Sequence, residues 1–217
     1  MIILSYVLIA VISYLLGSLN FGVIISRKLI KDDVRNHGSG NAGSTNMLRN
    51  FGKGTAAITM LGDMLKVVVA IVISFQIIKF NPATLEYTEN MINIDMQMLI
   101  KSLSGFFCVL GHIFPCFFGF KGGKGVATAG GMVFVVDWRI ALILLAVFIL
   151  IVAVTRYVSL GSIVMALLYP AFMYIFYKDI ILCVIALVFT LIVVVAHREN
   201  IKKLINHTEN KISLKKK

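Results

Sequence analysis

The sequence predicts an all-α integral membrane protein with seven transmembrane helices, an outside amino terminus and a cytoplasmic carboxyl terminus. Of the 217 residues, 59% are hydrophobic, and the mean hydropathy of +0.93 is far above that of a water-soluble domain. Apolar runs of about 20 residues, the length that a helix needs to cross a bilayer, recur along the chain. Lysines and arginines are concentrated in alternate connecting segments, and this asymmetry predicts the orientation.

The predicted spans are separated by short polar segments. They cover residues 2–26, 54–78, 99–119, 122–136, 138–155, 157–177 and 179–196. The fourth span is short and glycine-rich. The first apolar run is too long for a cleavable signal peptide and lacks a basic start, so we expect it to remain as a helix. We interpret residues 1–217 as a single polytopic domain with a short basic tail, 197–217.

Seven spans place the two termini on opposite sides of the membrane. With the amino terminus outside, 16 of the 21 lysines and arginines lie in cytoplasmic segments. The exceptions are Lys79, Lys101, Arg139 and Lys178 in outer segments and Lys66 within the second span. Basic segments remain in the cytoplasm, so the polar segments 36–53, 119–128 and 197–210 are all predicted to face it. This favours a site at the membrane interface over a transport site at the midplane.

The first polar constellation is a glycine-rich loop between the first two spans. It reads Gly38-Ser39-Gly40-Asn41-Ala42-Gly43-Ser44-Thr45-Asn46 and is followed by Arg49. Such a loop can form a concave nest of backbone amides for an oxyanion, because glycine permits left-handed backbone. Arg49 can bind phosphate through two parallel hydrogen bonds. An ordinary polar connection is the alternative, and a second loop of the same kind on the same face favours phosphate binding.

The second constellation places two lysines in a glycine run directly after an apolar segment. It reads Gly111-His112-Ile113-Phe114-Pro115, followed by Phe120-Lys121-Gly122-Gly123-Lys124-Gly125-Val126-Ala127-Thr128. Cationic side chains beside flexible backbone indicate an anion site at the edge of the membrane. The run fails the Walker pattern because Gly125 stands where serine or threonine is required, so ATP is not implied. His112 is either a packed, hydrogen-bonded histidine or a site residue.

The third constellation follows the last span. It begins His197-Arg198-Glu199-Asn200-Ile201-Lys202-Lys203-Leu204 and ends His207-Thr208-Glu209. If the segment is helical, His197, Asn200 and Ile201 share one face, and the first two can orient or deprotonate a hydroxyl group. A basic helix that attracts anionic lipid is the alternative. It explains the lysines but not the histidine and asparagine.

Two further positions are candidates. Asp63 and Lys66 are spaced i, i+3 inside the second span, where a structural ion pair is expected and a direct catalytic role is the alternative. Ser159 lies at a cytoplasmic helix start, either as a cap or in contact with a polar head group. The sequence contains no carboxylate pair that suggests glycoside chemistry, no zinc-ligand cluster and no nucleophile elbow. It also lacks a basic groove interleaved with aromatic residues, so nucleic acid is not an expected partner.

The three constellations together resemble the motifs of the bacterial acyl-phosphate:glycerol-3-phosphate acyltransferases, the PlsY family. The similar positions are Gly38, Ser39, Gly40, Asn41, Gly43, Thr45, Asn46 and Arg49; 111–115 and 120–128; and His197, Asn200, Ile201, Leu204 and Glu209. The motifs occur in order, and the resemblance covers nearly the whole chain. The sequence departs from the pattern where Lys203 replaces an arginine and His207 a glycine. The second departure removes backbone freedom from the turn before Glu209.

The resemblance implies transfer of a fatty acyl group from acyl phosphate to the 1-hydroxyl of glycerol 3-phosphate, which yields lysophosphatidic acid and phosphate. It implies a multi-pass enzyme of the cell inner membrane with its active site on the cytoplasmic face. No metal, cofactor, acyl-CoA or acyl-carrier-protein donor is implied. Expected partners are the two substrates and membrane lipids, and the enzyme is expected to function as a monomer.

Residue roles follow from the same resemblance. Catalytic roles fall to Ser39, Arg49, His197 and Asn200. Substrate-binding roles fall to Gly38, Gly40, Asn41, Gly43, Thr45, Asn46, His112, Lys121, Gly122, Gly123, Lys124, Gly125 and Ser159. Structural support falls to Asp63, Lys66 and Glu209. The general base stays open between His197 and a substrate phosphate. The main alternative function is a phosphate or organic-anion transporter, and a phosphotransferase and a basic membrane scaffold fit the residues less well.

Overall fold

A computed structural model describes residues 2–81 and 95–212. The regular structure of the described residues is helical. The α-helices are α1 Ile2–Gly17, α2 Phe21–Ile25, α3 Ser44–Lys79, α4 Met96–Ile113, α5 Val126–Val136, α6 Trp138–Thr155, α7 Val158–Tyr177, α8 Ile180–Ala196 and α9 Arg198–Ile205. A π-helical turn covers Ser26–Ile30, and 3-10 turns cover Val34–Asn36 and Cys116–Phe118.

Within the described residues, five segments are long and apolar enough to cross a membrane. They are Ile3–Ile30, Ser44–Lys79, Met96–Phe118, Trp138–Thr155 and Val158–Tyr177. A sixth is added if α8 and α9, which are bent by 62° relative to one another, count as one span. The fourth predicted span is helical only over the 11 residues of α5, about 16 Å of helix against a hydrocarbon core of about 30 Å. The number of seven spans therefore stays a prediction.

Several helix boundaries differ from the predicted spans: α4 ends at Ile113 rather than at residue 119, and α5 begins at Val126 rather than at residue 122. Two other differences have identifiable reasons. The first span is interrupted after Gly17 and resumes at Phe21, where the Asn20 side chain caps α2 by accepting a hydrogen bond from the Val23 amide. The second predicted span begins at residue 54, whereas α3 begins at Ser44. At Gly52 the backbone leaves helical conformation (φ 86°), which separates the first two turns of α3 from its apolar part.

The chain divides into two compact units, Met1–Val136 and Asp137–Lys217. In the first unit, α1 packs against α3 and α4, and α5 packs against the same two helices. Gly17 and Gly111 allow α1 and α4 to approach closely, because a Cβ at either position would collide with backbone of the other helix. This packing brings the carboxyl ends of α1 and α4 to Asp63 and Lys66 in the middle of α3.

The second unit is a bundle in which α7 packs against both α6 and α8. Short polar turns precede α6 and α8, where Asp137 and Asp179 cap the helices through side-chain hydrogen bonds. Thr190 donates to the Ala166 carbonyl at 2.7 Å and joins α7 to α8. Most side chains of α6 are apolar and are exposed or only partly buried, as expected of a helix that faces lipid.

Candidate active site

The first glycine loop is held in shape by the side chain of Asn46, at the start of α3. Its Nδ2 donates to the carbonyls of Val34 and His37 at 3.1 and 3.0 Å. Its Oδ1 accepts from the Ser39 amide at 3.1 Å and from Asn50 Nδ2 at 3.0 Å. These four bonds use the full capacity of a buried amide side chain. Asn46 therefore shapes the loop, and its predicted contact with substrate stays a prediction.

Two glycines of this loop have left-handed backbone conformation. Gly38 and Gly40 have φ angles of 56° and 69°, and a Cβ at position 38 would press on the Asn46 side chain. Ser39 lies exposed between them, and Arg49 lies exposed on the first part of α3. The predicted glycine-dependent loop is present. Its Ser39 side chain is exposed, as is the Arg49 side chain on the helix that follows.

The second glycine loop is docked on the carboxyl end of α4. The amides of Gly122 and Gly123 donate to the carbonyls of Ile113 and His112 at 3.2 and 3.1 Å. A Cβ on Gly122 would collide with the His112 carbonyl oxygen, and one on Gly123 would collide with the His112 ring. These glycines therefore permit close packing, and in this conformation their amides are occupied within the protein. Lys121 is exposed on the loop.

The two glycine loops are neighbours because Arg35 joins them. Arg35 lies in the 3-10 turn that leads to Ser39, and its Nη1 donates to the carbonyls of Phe118 and Lys121 at 2.8 and 3.0 Å. The segment that leads into the first loop thus contacts the segment that carries Lys121. Arg35 was not among the predicted site residues.

Each glycine loop leads directly into the amino end of a helix. The first enters α3 at Ser44, with Gly43 as the N-cap, and the second enters α5 at Val126. The first amides of a helix carry partial positive charge and favour a bound anion. Together with the cationic side chains of Arg49, Lys121 and Lys124, these helix ends make the loop region of the first unit suitable for phosphate groups.

A buried charged cluster lies beneath these loops. The Lys66 ammonium group donates to the carbonyls of Gly17 and Leu19 at 2.9 and 3.0 Å and to Asp63 Oδ1 at 2.9 Å. Gly17 is the last residue of α1, where carbonyls lack a partner within the helix, and Leu19 lies in the break that follows. Lys66 supplies a hydrogen bond to each carbonyl, while Asp63 balances its charge. The expected ion pair is therefore present, and it stabilises the break in the first predicted span.

His112 links this cluster to the second glycine loop. It is 2% exposed, and its Nδ1 lies 2.9 Å from Lys66 Nζ and 3.3 Å from Asp63 Oδ1. Its Nε2 is the atom that a side chain on Gly123 would meet first. Of the two interpretations of His112, the geometry favours a packed, hydrogen-bonded histidine. Its predicted contact with substrate stays a prediction.

In the second unit, His197 stands at the bend between α8 and α9. It is 2% exposed, and its Nδ1 lies 2.8 Å from the Val193 carbonyl oxygen. Because a carbonyl can only accept, Nδ1 carries the hydrogen, and Nε2 of the neutral ring carries the lone pair. This tautomer is the one that a histidine needs to accept a proton or a hydroxyl hydrogen bond through Nε2.

Glu209 holds two other predicted site residues of the second unit in place, Ser159 and Asn200. Glu209 Oε1 accepts from Ser159 Oγ and from Asn200 Nδ2, both at 2.9 Å. Its Oε2 is buried and has no hydrogen-bond partner among residues 2–81 and 95–212. Ser159 is not the cap of α7, since Tyr157 holds that position. Glu209 thus connects two predicted site residues that are far apart in the sequence.

The carboxyl-terminal segment reaches Ser159 because it folds back on the turn before α7. The Ile212 amide donates to the Arg156 carbonyl at 2.9 Å, and Lys211 Nζ lies 5.4 Å from the centre of the Tyr157 ring. His207 has a φ of 57°, the left-handed conformation in which glycine is favoured. The turn before Glu209 is therefore kept although a histidine replaces the usual glycine.

Comparison with known proteins identifies the family. The family model described as glycerol-3-phosphate acyltransferase matches residues 7–207. The chain belongs to this family. A glycerol-3-phosphate acyltransferase from Clostridioides difficile (strain 630) is 45% identical to this acyltransferase over 214 residues, 99% of this chain and 98% of that relative. The predicted enzyme class, an acyltransferase, is confirmed.

Two crystal structures of PlsY (YgiH), described as an integral membrane glycerol 3-phosphate acyltransferase, are similar to the acyltransferase. The glycerol 3-phosphate form has a TM-score of 0.82 and 34% identity, and covers 96% of both chains. The lysophosphatidic acid form has a TM-score of 0.79 and 33% identity, with the same coverage. The resemblance to the PlsY family is confirmed, as is the assignment to all-helical, multi-pass integral membrane proteins.

Two residues that hold the glycine loops of the acyltransferase in place have no distinctive signal in the sequence. Arg35 and its partner Asp33 precede the first loop in the pattern Asp-x-Arg, which is also common in solvated turns. The carbonyl group of Phe118 that Arg35 binds is 83 residues away. A pattern within one segment does not reveal a partner at that separation.

Proposed function

We propose that this acyltransferase moves a fatty acyl group from acyl phosphate to the 1-hydroxyl of glycerol 3-phosphate. The glycerol oxygen attacks the acyl carbonyl carbon, the bond from that carbon to the phosphate oxygen breaks, and lysophosphatidic acid and phosphate leave. No acyl-enzyme intermediate is formed. One observation carries the proposal: two glycine loops, each at a helix amino terminus and lined by cationic side chains, are joined side by side by Arg35.

The first unit holds the phosphate groups in this proposal. Both substrates carry phosphate, and Ser39, Arg49, Lys121 and Lys124 supply hydrogen bonds and positive charge to them. The same groups stabilise the negative charge that develops on the acyl oxygen and on the leaving phosphate. Since the amides of Gly122 and Gly123 are bonded to α4, the lysine side chains of the second loop, rather than those amides, contact phosphate.

The second unit orients the glycerol hydroxyls. His197 presents Nε2 as an acceptor because Nδ1 is bonded to Val193, and Asn200 is held by Glu209. The proton of the attacking hydroxyl passes to His197 Nε2 or to a phosphate oxygen of the substrate. Either acceptor suffices because acyl phosphate is already an activated donor.

The proposed setting is the cell inner membrane, with the active site on the cytoplasmic face. We propose seven spans with the amino terminus outside, counting α5 and α8 as spans and leaving α9 in the cytoplasmic tail. The concentration of lysine and arginine in the predicted cytoplasmic segments supports this orientation. The chain acts as one acyltransferase domain, as a monomer, among membrane lipids.

A direct test uses the purified protein with acyl phosphate and glycerol 3-phosphate, with lysophosphatidic acid detected by mass spectrometry. We expect product with acyl phosphate and none when acyl-CoA replaces it. Arg49→Ala and His197→Ala are expected to lose at least about 100-fold in turnover, whereas Lys28→Gln, at an exposed residue of the π-helical turn, serves as the control. Full turnover in both active-site variants would refute these residue roles.

The alternative is a phosphate or organic-anion transporter, which the basic loops alone would also permit. Liposomes that contain the protein distinguish the two functions. Passage of phosphate across the bilayer without an acyl donor, together with no lysophosphatidic acid in the assay above, would favour transport. We expect product and no donor-independent passage.

A further inference from the structure

We propose that Arg35 is a positioning residue that fixes the direction of Lys121 by holding the backbone of the second glycine loop. The catalytic consequence rests on the proposed function, because it assumes that Lys121 binds a substrate phosphate.

The Arg35 guanidinium group binds on two sides at once. Nε and Nη2 donate to Oδ1 and Oδ2 of Asp33 at 3.0 and 2.8 Å. Nη1 donates to the carbonyls of Phe118 and Lys121 at 2.8 and 3.0 Å. A planar fork with five N–H groups can make all four bonds, whereas a lysine ammonium group has three donors and no fixed plane. An arginine at position 35 can therefore bind Asp33 and both loop carbonyls at the same time, which a lysine cannot do.

The bond to Lys121 acts on a peptide group that is also held from its other side. The Lys121 carbonyl and the Gly122 amide belong to one planar peptide. The carbonyl oxygen accepts from Arg35, while the Gly122 amide donates to the Ile113 carbonyl at the end of α4. A peptide plane held at both ends cannot rotate, so the backbone that directs the Lys121 side chain is fixed.

The residues before Lys121 make such an anchor necessary. Gly119 and Phe120 both have left-handed backbone, with φ angles of 66° and 58°, and for Phe120 this conformation is unfavourable by about 1–2 kcal/mol. Arg35 holds the carbonyl of Phe118 on one side of this pair and that of Lys121 on the other. The two bonds therefore stabilise a turn that the chain does not favour by itself.

Asp33 in turn fixes Arg35. Its Oδ1 accepts the Arg35 backbone amide at 3.0 Å, which caps the 3-10 turn, and Arg27 also donates to its Oδ2. The hydrogen bond from Arg35 holds the pKa of the Asp33 carboxyl group well below its usual range. The carboxylate is therefore charged at neutral pH. Arg27 binds the same carboxylate but is 53% exposed and lies over the Phe118 ring, so it provides a matched control.

Steady-state kinetics with the full-length protein test the proposal. Arg35→Lys and Arg35→Gln are expected to raise KM for the phosphate-bearing substrates about tenfold, as the loss of hydrogen bonds to a charged group predicts, with a smaller change in kcat. Arg27→Gln removes the same charge and is expected to change KM less than about twofold. Equal effects of Arg27→Gln and Arg35→Gln would show that net charge alone matters and would overturn the proposal.

A double-mutant cycle separates positioning from a general structural role. If Arg35 acts through Lys121, Arg35→Lys in a Lys121→Ala background should raise KM less than about twofold further. Effects of the two substitutions that multiply would overturn the proposal. So would a fall in kcat at unchanged KM, which is the result expected of a smaller folded fraction.

Hydrogen exchange measures the anchor without any assumption about the reaction. We expect Arg35→Gln to speed amide exchange in residues 118–123 about tenfold or more, with α7 and α8 unchanged. Unchanged exchange in that loop would refute the positioning role even if the enzyme reaction is confirmed. If faster exchange occurred in a protein that makes no lysophosphatidic acid, the anchor would stand and the proposed function would fall.

Discussion

The two units hold their polar groups by different means. In the first unit, the buried side chains of Lys66, Asp63 and His112 join α1, α3 and α4, and the His112 ring also packs against Gly123 of the second glycine loop. In the second unit, one glutamate near the end of the chain connects Ser159 to Asn200. The Asp63–Lys66–His112 cluster is thus part of the core of the first unit, whereas Ser159 and Asn200 depend on a returning segment. Changes to the buried Asp63–Lys66–His112 cluster should therefore affect stability most, whereas changes to Glu209 should affect activity more than stability.

The largest effect is expected from Asp63→Ala. The substitution leaves the Lys66 ammonium group buried without its carboxylate, and breaking a buried ion pair in this way costs about 3–5 kcal/mol. Thermal unfolding in detergent should show a lower midpoint. Glu199→Ala, which removes only exposed ion pairs with Arg198 and Lys202, is the control and should leave the midpoint nearly unchanged. Equal midpoints for the two variants would contradict the contrast between the units.

Glu209→Gln tests the contacts that Glu209 makes in the second unit. The substitution removes the negative charge that holds Ser159 and Asn200, and hydrogen bonds to charged groups are worth about 1.5–3 kcal/mol each. We expect kcat/KM to fall by roughly 10- to 100-fold, and the unfolding midpoint to fall by less than it does in Asp63→Ala. Glu199→Gln on exposed α9 is the matched control. A large loss of stability with unchanged kcat/KM in the folded fraction would show that Glu209 stabilises the fold and does not serve the reaction.

Gly123→Ala tests the contact between His112 and the second glycine loop. The added methyl group would collide with the His112 ring, and overpacking of this kind costs about 1–3 kcal/mol. We expect lower stability together with lower activity, because the loop that carries the lysines must move. Gly130→Ala on α5 is the control, since a Cβ there meets nothing within 4 Å. Equal results for the two glycines would contradict the packing role of Gly123.

The smallest effect is expected from His207→Gly. Glycine relieves the left-handed strain of His207 but increases the entropy of the unfolded chain, and the two contributions largely cancel, to within about 1 kcal/mol. Stability and kcat/KM should both stay close to those of the unsubstituted protein. A large gain in kcat/KM would show that the histidine strains the turn before Glu209 and limits activity.

Much of the fold was predictable from the sequence because lipid imposes a simple rule on composition. Spanning helices need long apolar runs, and the turns before α6 and α8 contain aspartates that cap helices in any setting. The predicted boundaries failed where a polar tertiary contact changes the helix. Thus α1 stops at Gly17, where Lys66 supplies the missing hydrogen bonds, and this contact joins residues 49 positions apart.

The sequence by itself determined the class of protein, the family and the three polar constellations, because residue type and short spacing carry that information. Only the tertiary structure decided what each polar residue touches. Asn46 uses its amide within the loop, the amides of Gly122 and Gly123 bond to α4, and Arg35 holds the backbone of Lys121. These contacts form between segments that are distant in the chain or through backbone groups that every residue possesses. No local pattern of side chains encodes them, and they arise when the helices pack.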